Sequence, residues 1–428
     1  MEYRIEKFEN PLQFENEFSS DFINCIASFK SQLKPSEELK RNFIEILEGL
    51  FEGNGFRLPH PSRQREKITS FNSCEFRWSR NLIIFKYDDD YLVVIQKYYF
   101  IDQLFFYNKK LLLLLNECFE SEEKLAKEIQ LLVEDGIAQE KFGCNSKELE
   151  LNLETNRPFH AFYPILGALC FIDRQNINIA EVEYFTSDVS FLNFHDQFSW
   201  LVPKTQNTNS DVKFRVRVEC WAFAGYTDKD DAVFSNAINQ DFRDIELKPL
   251  LDRSDKILWL DLNSEKRKLA NKIDIFKSVI KIVTEKYANA NILIYCDGLT
   301  QPLQSKKPKV FENDLPDFLE LKDSFQYEQR LTFYHGSGLN PNEKMKIARQ
   351  ALLFIADAGT ASMYPDRFAK RKGITFKPNN WLAPGHIHHN SIAVSSAYIT
   401  NLSDGAPVNC VFKVEPEVIL SSVKELIE

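Results

Sequence analysis

Residues 331–378 read LTFYHGSGLNPNEKMKIARQALLFIADAGTASMYPDRFAKRKGITFKP. Three short apolar runs stand out, at 331–334, 352–356 and 373–376, with two segments of helical character between them. The first run ends in His335, Gly336, Ser337 and Gly338, and the second in Asp357, Ala358, Gly359, Thr360, Ala361 and Ser362. Strand, Gly-rich turn, helix and strand in that order is how an open α/β sheet makes a crevice at its strand carboxyl ends. Small residues there let a backbone approach a ligand closely. Hydroxyls and unpaired N–H groups at a helix start favour an anion such as phosphate.

The stretch belongs to a chain of 428 residues, long enough for two or three domains. Glycine is scarce, at 14, against 36 phenylalanines, so the glycine clusters carry weight. A net charge of −9 lacks the basic footprint of a nucleic-acid binder. The short basic runs at 306–309 and 370–372 read as solvated loops. Eight cysteines occur singly, at Cys25, Cys74, Cys118, Cys144, Cys170, Cys220, Cys296 and Cys410, without zinc-ligand spacing, and most read as reduced core residues. The amino terminus has no signal-peptide pattern, and the longest aliphatic run, 111–115, is far too short to span a membrane. A cytoplasmic protein is expected.

Upstream, residues 1–60 read as helical, with a helix start at Pro35 and Ser36, and 54–81 as a polar loop. A hairpin follows, 81–86 and 91–96 about the turn residues Asp88, Asp89 and Asp90. Residues 100–150 read as two short helices, LLLLLNECF and SEEKLAKEIQLLVEDGI. A helix start at NRPFHAFY, 156–163, opens the next region, with Asn156 as cap and Pro158 in the first turn. Strands follow at 182–185, 214–218 and 220–223, with a polar loop at 205–211. From Asp255 onward the pattern alternates: strand 256–262, helix 273–287, strand 291–296 ending in Asp297 and Gly298, then the opening stretch and a closing helix at 416–427. Alternation of this kind predicts a mostly parallel sheet. The expected division is 1–150 as an accessory α+β region, 151–250 as an α/β domain and 251–428 as a second α/β domain.

Four strand ends in the last region thus point to one crevice. Thr360 and Ser362, with Gly359, suit phosphate oxygens; Arg267, with Lys266 or Lys268, suits their charge; His335 suits phosphate or sugar. Asp297 and Asp357 are strand-end carboxylates that can bind substrate, end a strand or cap a helix. In the first half, His160 is the strongest candidate for a general base, because an imidazole titrates near neutrality. Set among Phe159, Phe162 and Tyr163, it equally suits a packed core position. His195 and Asp196 are the next candidates. His386, His388 and His389 invite a metal, but no third ligand pair lies nearby, and no metal site is expected. There is no GxSxG, P-loop or kinase signature set.

In order and spacing, residues 256–378 resemble the carboxyl-terminal domain of GT-B glycosyltransferases, of the poorly characterised bacterial surface-polysaccharide type. The quoted 156–163 helix start is similar to one upstream in such proteins. The resemblance implies two Rossmann-like domains facing a cleft. The donor nucleotide sugar would be held by Arg267, His335, Gly336, Gly338, Asp357, Gly359, Thr360 and Ser362, with His160 and Asp297 as catalytic residues. It further implies a glycan or glycolipid acceptor, no essential metal or other cofactor, and work at or near the inner membrane. There is no GxGxxG, and Gly336 stands where bacterial sialyltransferases carry a proline after the histidine. A nucleotide-sugar epimerase on the same fold and a non-catalytic carbohydrate- or partner-binding protein are the rival readings.

Overall fold

In a computed structural model the chain divides into two compact units, Met1–Val233 and Phe234–Glu428. The structure describes residues 2–29, 41, 44–45, 48–51, 55–76, 80–97, 99–116, 121–138, 147–155, 158–175, 181–186, 190–204, 212–219, 247–262, 267–303, 314–379, 390–403 and 410–428. The expected helix start at Pro35, the cap Asn156, the strand at 220–223, the loop at 205–211 and the histidines 386, 388 and 389 lie outside these residues.

The first unit is built on one mixed sheet. Its strands are β1 (Arg4–Lys7), β2 (Arg57–Pro59), β3 (Lys67–Phe76), β4 (Arg80–Tyr87), β5 (Asp90–Lys97), β6 (Tyr99–Phe106), β7 (Leu111–Leu114), β8 (Lys147–Asn152), β9 (Val182–Phe185), β10 (Leu201–Pro203) and β11 (Val212–Arg217). They run in the order β1-β7-β6-β5-β4-β3-β11-β8-β9-β10, with β2 beside β3. β3 to β7 form an antiparallel meander, while β3, β11, β8, β9 and β10 pair in parallel. The sheet therefore runs through the boundary expected at residue 150, which falls inside β8.

The expected hairpin is present as β4 and β5, and the helix Glu122–Ala138 covers one face of the meander. Leu125, Ala126, Ile129 and Val133 pack there on Leu82, Val93, Phe105 and Leu112. The expected helix at LLLLLNECF is instead β7, a strand inside the sheet between β1 and β6 whose leucines are buried on both faces. A short all-apolar run has no periodicity to separate helix from strand. The segment expected as a polar loop, 54–81, contains β2 and β3. β3, KITSFNSCEF, is polar because hydrogen bonding to β4 and β11 holds it, with Ser73 Oγ donating to the Arg215 carbonyl at 3.2 Å.

In the second unit the strands are β12 (Lys256–Asp261), β13 (Lys268–Leu269), β14 (Ile292–Asp297), β15 (Leu331–His335), β16 (Ala351–Asp357), β17 (Gly373–Phe376), β18 (Ser391–Ala393), β19 (Ile399–Asn401) and β20 (Val411–Val414). The main sheet has the order β15-β14-β12-β16-β17-β18, and every pairing in it is parallel. Numbered by appearance, this is 3-2-1-4-5-6, the Rossmann order, whose direction reverses between β12 and β16. The expected α/β class and the expected parallel strands are both present. The apolar runs are continuous because strands covered on both faces need no polar alternation. Leu258, Leu260, Ile294 and Ile355 face helices Lys272–Lys286 and Pro416–Ile427. Trp259 and Tyr295 are fully buried, with ring centroids 4.4 Å apart.

At Gly373 a Cβ would stand 2.3 Å from the buried Phe354 ring. Gly373→Ala should therefore lower stability by about 1–3 kcal/mol, the usual cost of overpacking a closed core. Denaturant unfolding of wild type and variant measures it.

Candidate functional site

Ligands of a doubly wound sheet bind where the strand order reverses, outside the carboxyl ends of the two strands flanking that point. Here those strands are β12 and β16, ending in Asp261 and Asp357. Asp261 Oδ2 accepts the Asp357 backbone N–H at 3.0 Å and ties the two ends together. Asp357 in turn receives Arg267: Nε donates to Oδ1 and Oδ2 at 3.1 and 3.0 Å, and Nη2 to Oδ1 at 2.6 Å. Burial pushes the Asp357 carboxyl up, and the guanidinium offsets this only in part. Arg267, expected as the cation for phosphate, and Asp357, expected as a separate ligand, are thus partners of each other.

The chain leaves Asp357 through Gly359 into the short helical turn Thr360–Ser362 and then a π-helical turn, Met363–Phe368. The fully buried Ser362 hydroxyl closes this start on itself, accepting from Gly359 N–H at 3.2 Å and donating to the Gly359 carbonyl at 3.1 Å. Thr360 is half-buried, and its hydroxyl bonds to none of the described residues. The first N–H groups of a helical segment have no partner within it. Among the described residues of the switch point, the Thr360 hydroxyl and the first N–H groups of the turn are donors that an anion can meet.

His335, Gly336 and Gly338 lie elsewhere, at the end of the edge strand β15, two strands from β12. The glycines have packing reasons. A Cβ on Gly336 would stand 2.3 Å from the Tyr295 ring, and Gly338 has a left-handed φ of 94°. His335 is half-buried with its ring 5.0 Å from that of Phe318, and its Nε2 is buried with no hydrogen-bond partner among the described residues. Burial, helped by the charge of Lys344, lowers its pKa and favours the neutral ring.

Asp297, at the end of β14, is only 2% exposed. Its Oδ1 accepts from Lys344 Nζ at 2.6 Å and from the Tyr295 hydroxyl at 3.1 Å, while Lys344 Nζ also donates to the Gly298 carbonyl. Lys344 is completely buried, from helix Pro341–Ala348, whose start is closed by a capping box between Asn340 and Glu343. Burial raises the Asp297 carboxyl against the pull of Lys344. In this position Asp297 braces the strand end from inside.

His160 lies in the first unit, at the end of the turn Pro158–His160 and directly before a π-helical turn, Ala161–Ile165. Pro164 explains the widening: it has no N–H, and in an α-helix its ring would strike the carbonyl four residues back, that of His160. Beyond it the buried helix Leu166–Arg174 resumes. His160 Nδ1 lies 2.5 Å from Glu219 Oε1, with the imidazole side chain 26% exposed and the carboxylate 7%. Glu219 Oε2 accepts from Arg217 Nε at 3.3 Å, and Arg217 Nη2 also donates to the Glu154 carbonyl at 3.1 Å. Burial pushes the Glu219 carboxyl up, but the His160 hydrogen bond and the charges of His160 and Arg217 outweigh it and hold the group below its ordinary value. His160 Nε2 bonds to none of the described residues. His195, by contrast, has both nitrogens engaged, Nδ1 with the Tyr184 hydroxyl at 2.8 Å and Nε2 with Asp196 at 3.2 Å.

The switch point therefore gathers Arg267, Asp357, Gly359, Thr360 and Ser362, while His335, Gly336 and Gly338 form a separate group. Asp261, Lys344, Glu219 and Arg217 escaped the sequence reading. Only Asp261, a charge closing an apolar strand, had a local signal. Among the described residues no cluster of metal-ligating side chains occurs, and no helix is long and apolar enough to cross a membrane. Cys170, Cys296 and Cys410 are buried, with the Cys170 thiol pushed up to about 12, and Cys25 and Cys74 are partly buried.

No protein-family model matches the chain, and no curated protein matches it either. Among solved structures the chain is similar to E. coli ADP-heptose LPS heptosyltransferase II, at 6% identity over 65% of this chain and 98% of that one, with a TM-score of 0.40. It is similar to a glycosyl transferase family 9 protein from Veillonella parvula, at 8% identity over 66% and 97%, TM-score 0.37. UDP-GlcNAc 2-epimerase from Methanocaldococcus jannaschii matches at 10% identity over 65% and 92%, TM-score 0.33.

Removing Lys344 would strand a buried carboxylate. Lys344→Met should cost about 3–5 kcal/mol, and adding Asp297→Asn to it should recover part of that loss. Denaturant unfolding of the three variants in a double-mutant cycle tests this.

Proposed function

We propose that the protein is a glycosyltransferase that moves a sugar from a nucleotide-sugar donor to a glycan or glycolipid acceptor, in the assembly of a bacterial surface polysaccharide. The observation that carries this reading is the parallel sheet in Rossmann order, with Thr360 and the helical start behind it at the reversal point. In the proposal the donor phosphates lie against Gly359, Thr360 and the N–H groups that follow. Arg267, fixed by Asp357, lines the same place. His160, with Nδ1 bonded to Glu219 and Nε2 bonded to none of the described residues, takes the proton of an acceptor hydroxyl. The hydroxyl oxygen bonds to the anomeric carbon as the bond from that carbon to the phosphate oxygen breaks. The nucleotide leaves with the electron pair. Asp297 has no chemical step in this scheme, because its carboxylate is committed to Lys344 and Tyr295. No metal is invoked, since no DxD motif closes a strand of the second unit. The protein is proposed to act in the cytoplasm at the inner-membrane face.

Incubation with a panel of nucleotide sugars in excess chelator separates the rivals. Transfer or slow donor hydrolysis supports the proposal. An isomerised sugar supports the epimerase, and neither supports a binding protein. Thr360→Glu should abolish nucleotide binding by charge repulsion with the melting temperature retained; unchanged affinity would remove the assignment of the phosphate site.

His160→Ala should lower turnover by about 10²–10⁴-fold, the worth of a positioned proton transfer, with donor affinity unchanged. Turnover and melting temperature measured on one preparation decide the matter. A destabilised but active variant would make His160 a packing residue.

A further inference from the structure

The neighbours of His160 make up a connected series. The Glu154 carbonyl holds Arg217, Arg217 holds Glu219 Oε2, and Glu219 Oε1 holds His160 Nδ1. We propose that Glu219 is the positioning residue of the reaction: held by Arg217, it fixes His160 as the Nδ1–H tautomer and leaves Nε2 as the acceptor. The proposal rests on the reading of His160 as the base.

Three observations carry it. Both oxygens of this 7% exposed carboxylate are spent on two partners, one a ring nitrogen and the other a guanidinium. A carboxylate only accepts, so Nδ1 must donate, and in a neutral ring that leaves Nε2 as the acceptor. Nε2 is also the nitrogen that bonds to none of the described residues, on a side chain that is 26% exposed. The two features coincide at one ring: a tautomer set by a buried carboxylate, and an acceptor nitrogen that bonds to none of the described residues. At His195 the same test fails, because both nitrogens are engaged.

The acceptor O–H proton moves to Nε2, making an imidazolium, and Glu219 stays a carboxylate throughout. Arg217 and Glu219 cancel before the step, so the new positive charge is met by an oriented carboxylate and no second proton moves. Without Arg217 burial would push the carboxyl toward its neutral form, whose O–H can donate to Nδ1 and so no longer fixes the tautomer.

The test uses the full chain with ¹⁵N-labelled histidine. His160 is assigned by loss of its signals in His160→Gln, and its tautomer is read by NMR with no substrate present. The expected result is a ring protonated on Nδ1 in the wild type, a mixture or the Nε2–H form in Glu219→Gln, and a return to the Nδ1–H form in Glu219→Asp. In turnover, Glu219→Gln should lose at least about tenfold in kcat, a part of what a positioned base supplies, with the donor KM unchanged. An Nε2–H ring in the wild type, or a tautomer indifferent to Glu219→Gln, overturns the proposal. The NMR readout needs no catalysis, so it separates failure of the positioning role from failure of His160 as the base, which turnover of His160→Ala reports.

Discussion

A parallel sheet that winds first one way and then the other must part its connections where the direction changes, and something must close the gap between the two strand ends. Here that place is the boundary of β12 and β16, and the closure is electrostatic. Asp261 reaches across to the Asp357 N–H, and Asp357 is held by the Arg267 fork. A buried carboxylate is costly unless it is paired and hydrogen-bonded. Arg267 meets that cost with three contacts to one side chain. The turn that begins at Gly359 starts from the residue so fixed, so the direction of its N–H groups depends on this pair. The same logic recurs one strand away, where Lys344 holds Asp297.

The second unit was legible in the sequence because parallel strands buried on both faces appear as uninterrupted apolar runs at regular intervals. Each of 256–262, 291–296, 331–334 and 352–356 became a strand within a residue or two. The first unit was not. β3 is polar, and its place is decided by β4 and by β11, whose pairing residue Phe214 lies far along the chain from Ser73. β7 is so uniformly apolar that its periodicity says nothing. The candidate site divides in the same way. Thr360 and Gly359 are recognisable as the small residues after a strand. The partners of His160 are not, since Glu219 follows it by 59 positions and meets it only through the fold. The glycines of 336–338 have a reason the sequence did not show: at Gly336 the place of a side chain is filled by Tyr295.

Both candidate sites adjoin a π-helical turn that contains a proline, Pro164 in one and Pro365 in the other. In each the proline cannot take part in the tighter α pattern, and the wider ring closes around it: Leu166 N–H reaches the Ala161 carbonyl, and Ala369 N–H the Tyr364 carbonyl. The helix that follows the first turn is buried from Leu166 to Ile172, and the second turn is itself buried from Met363 to Phe368.

A turn that holds one residue too many is also a phase shift. Each α-helical residue advances the side-chain direction by about 100°, so the widened turn displaces His160 by that angle relative to the buried face of Leu166–Arg174. The core side of the helix is anchored by Leu166, Leu169 and Phe171 and cannot rotate freely. Were the turn to tighten to the α pattern with the same residues, the anchor would stay in place and His160 would turn away from Glu219 by about 100°. The helix carries a reading frame as well as a shape, and the identity of the residue presented to the carboxylate is set by the count of residues in one turn.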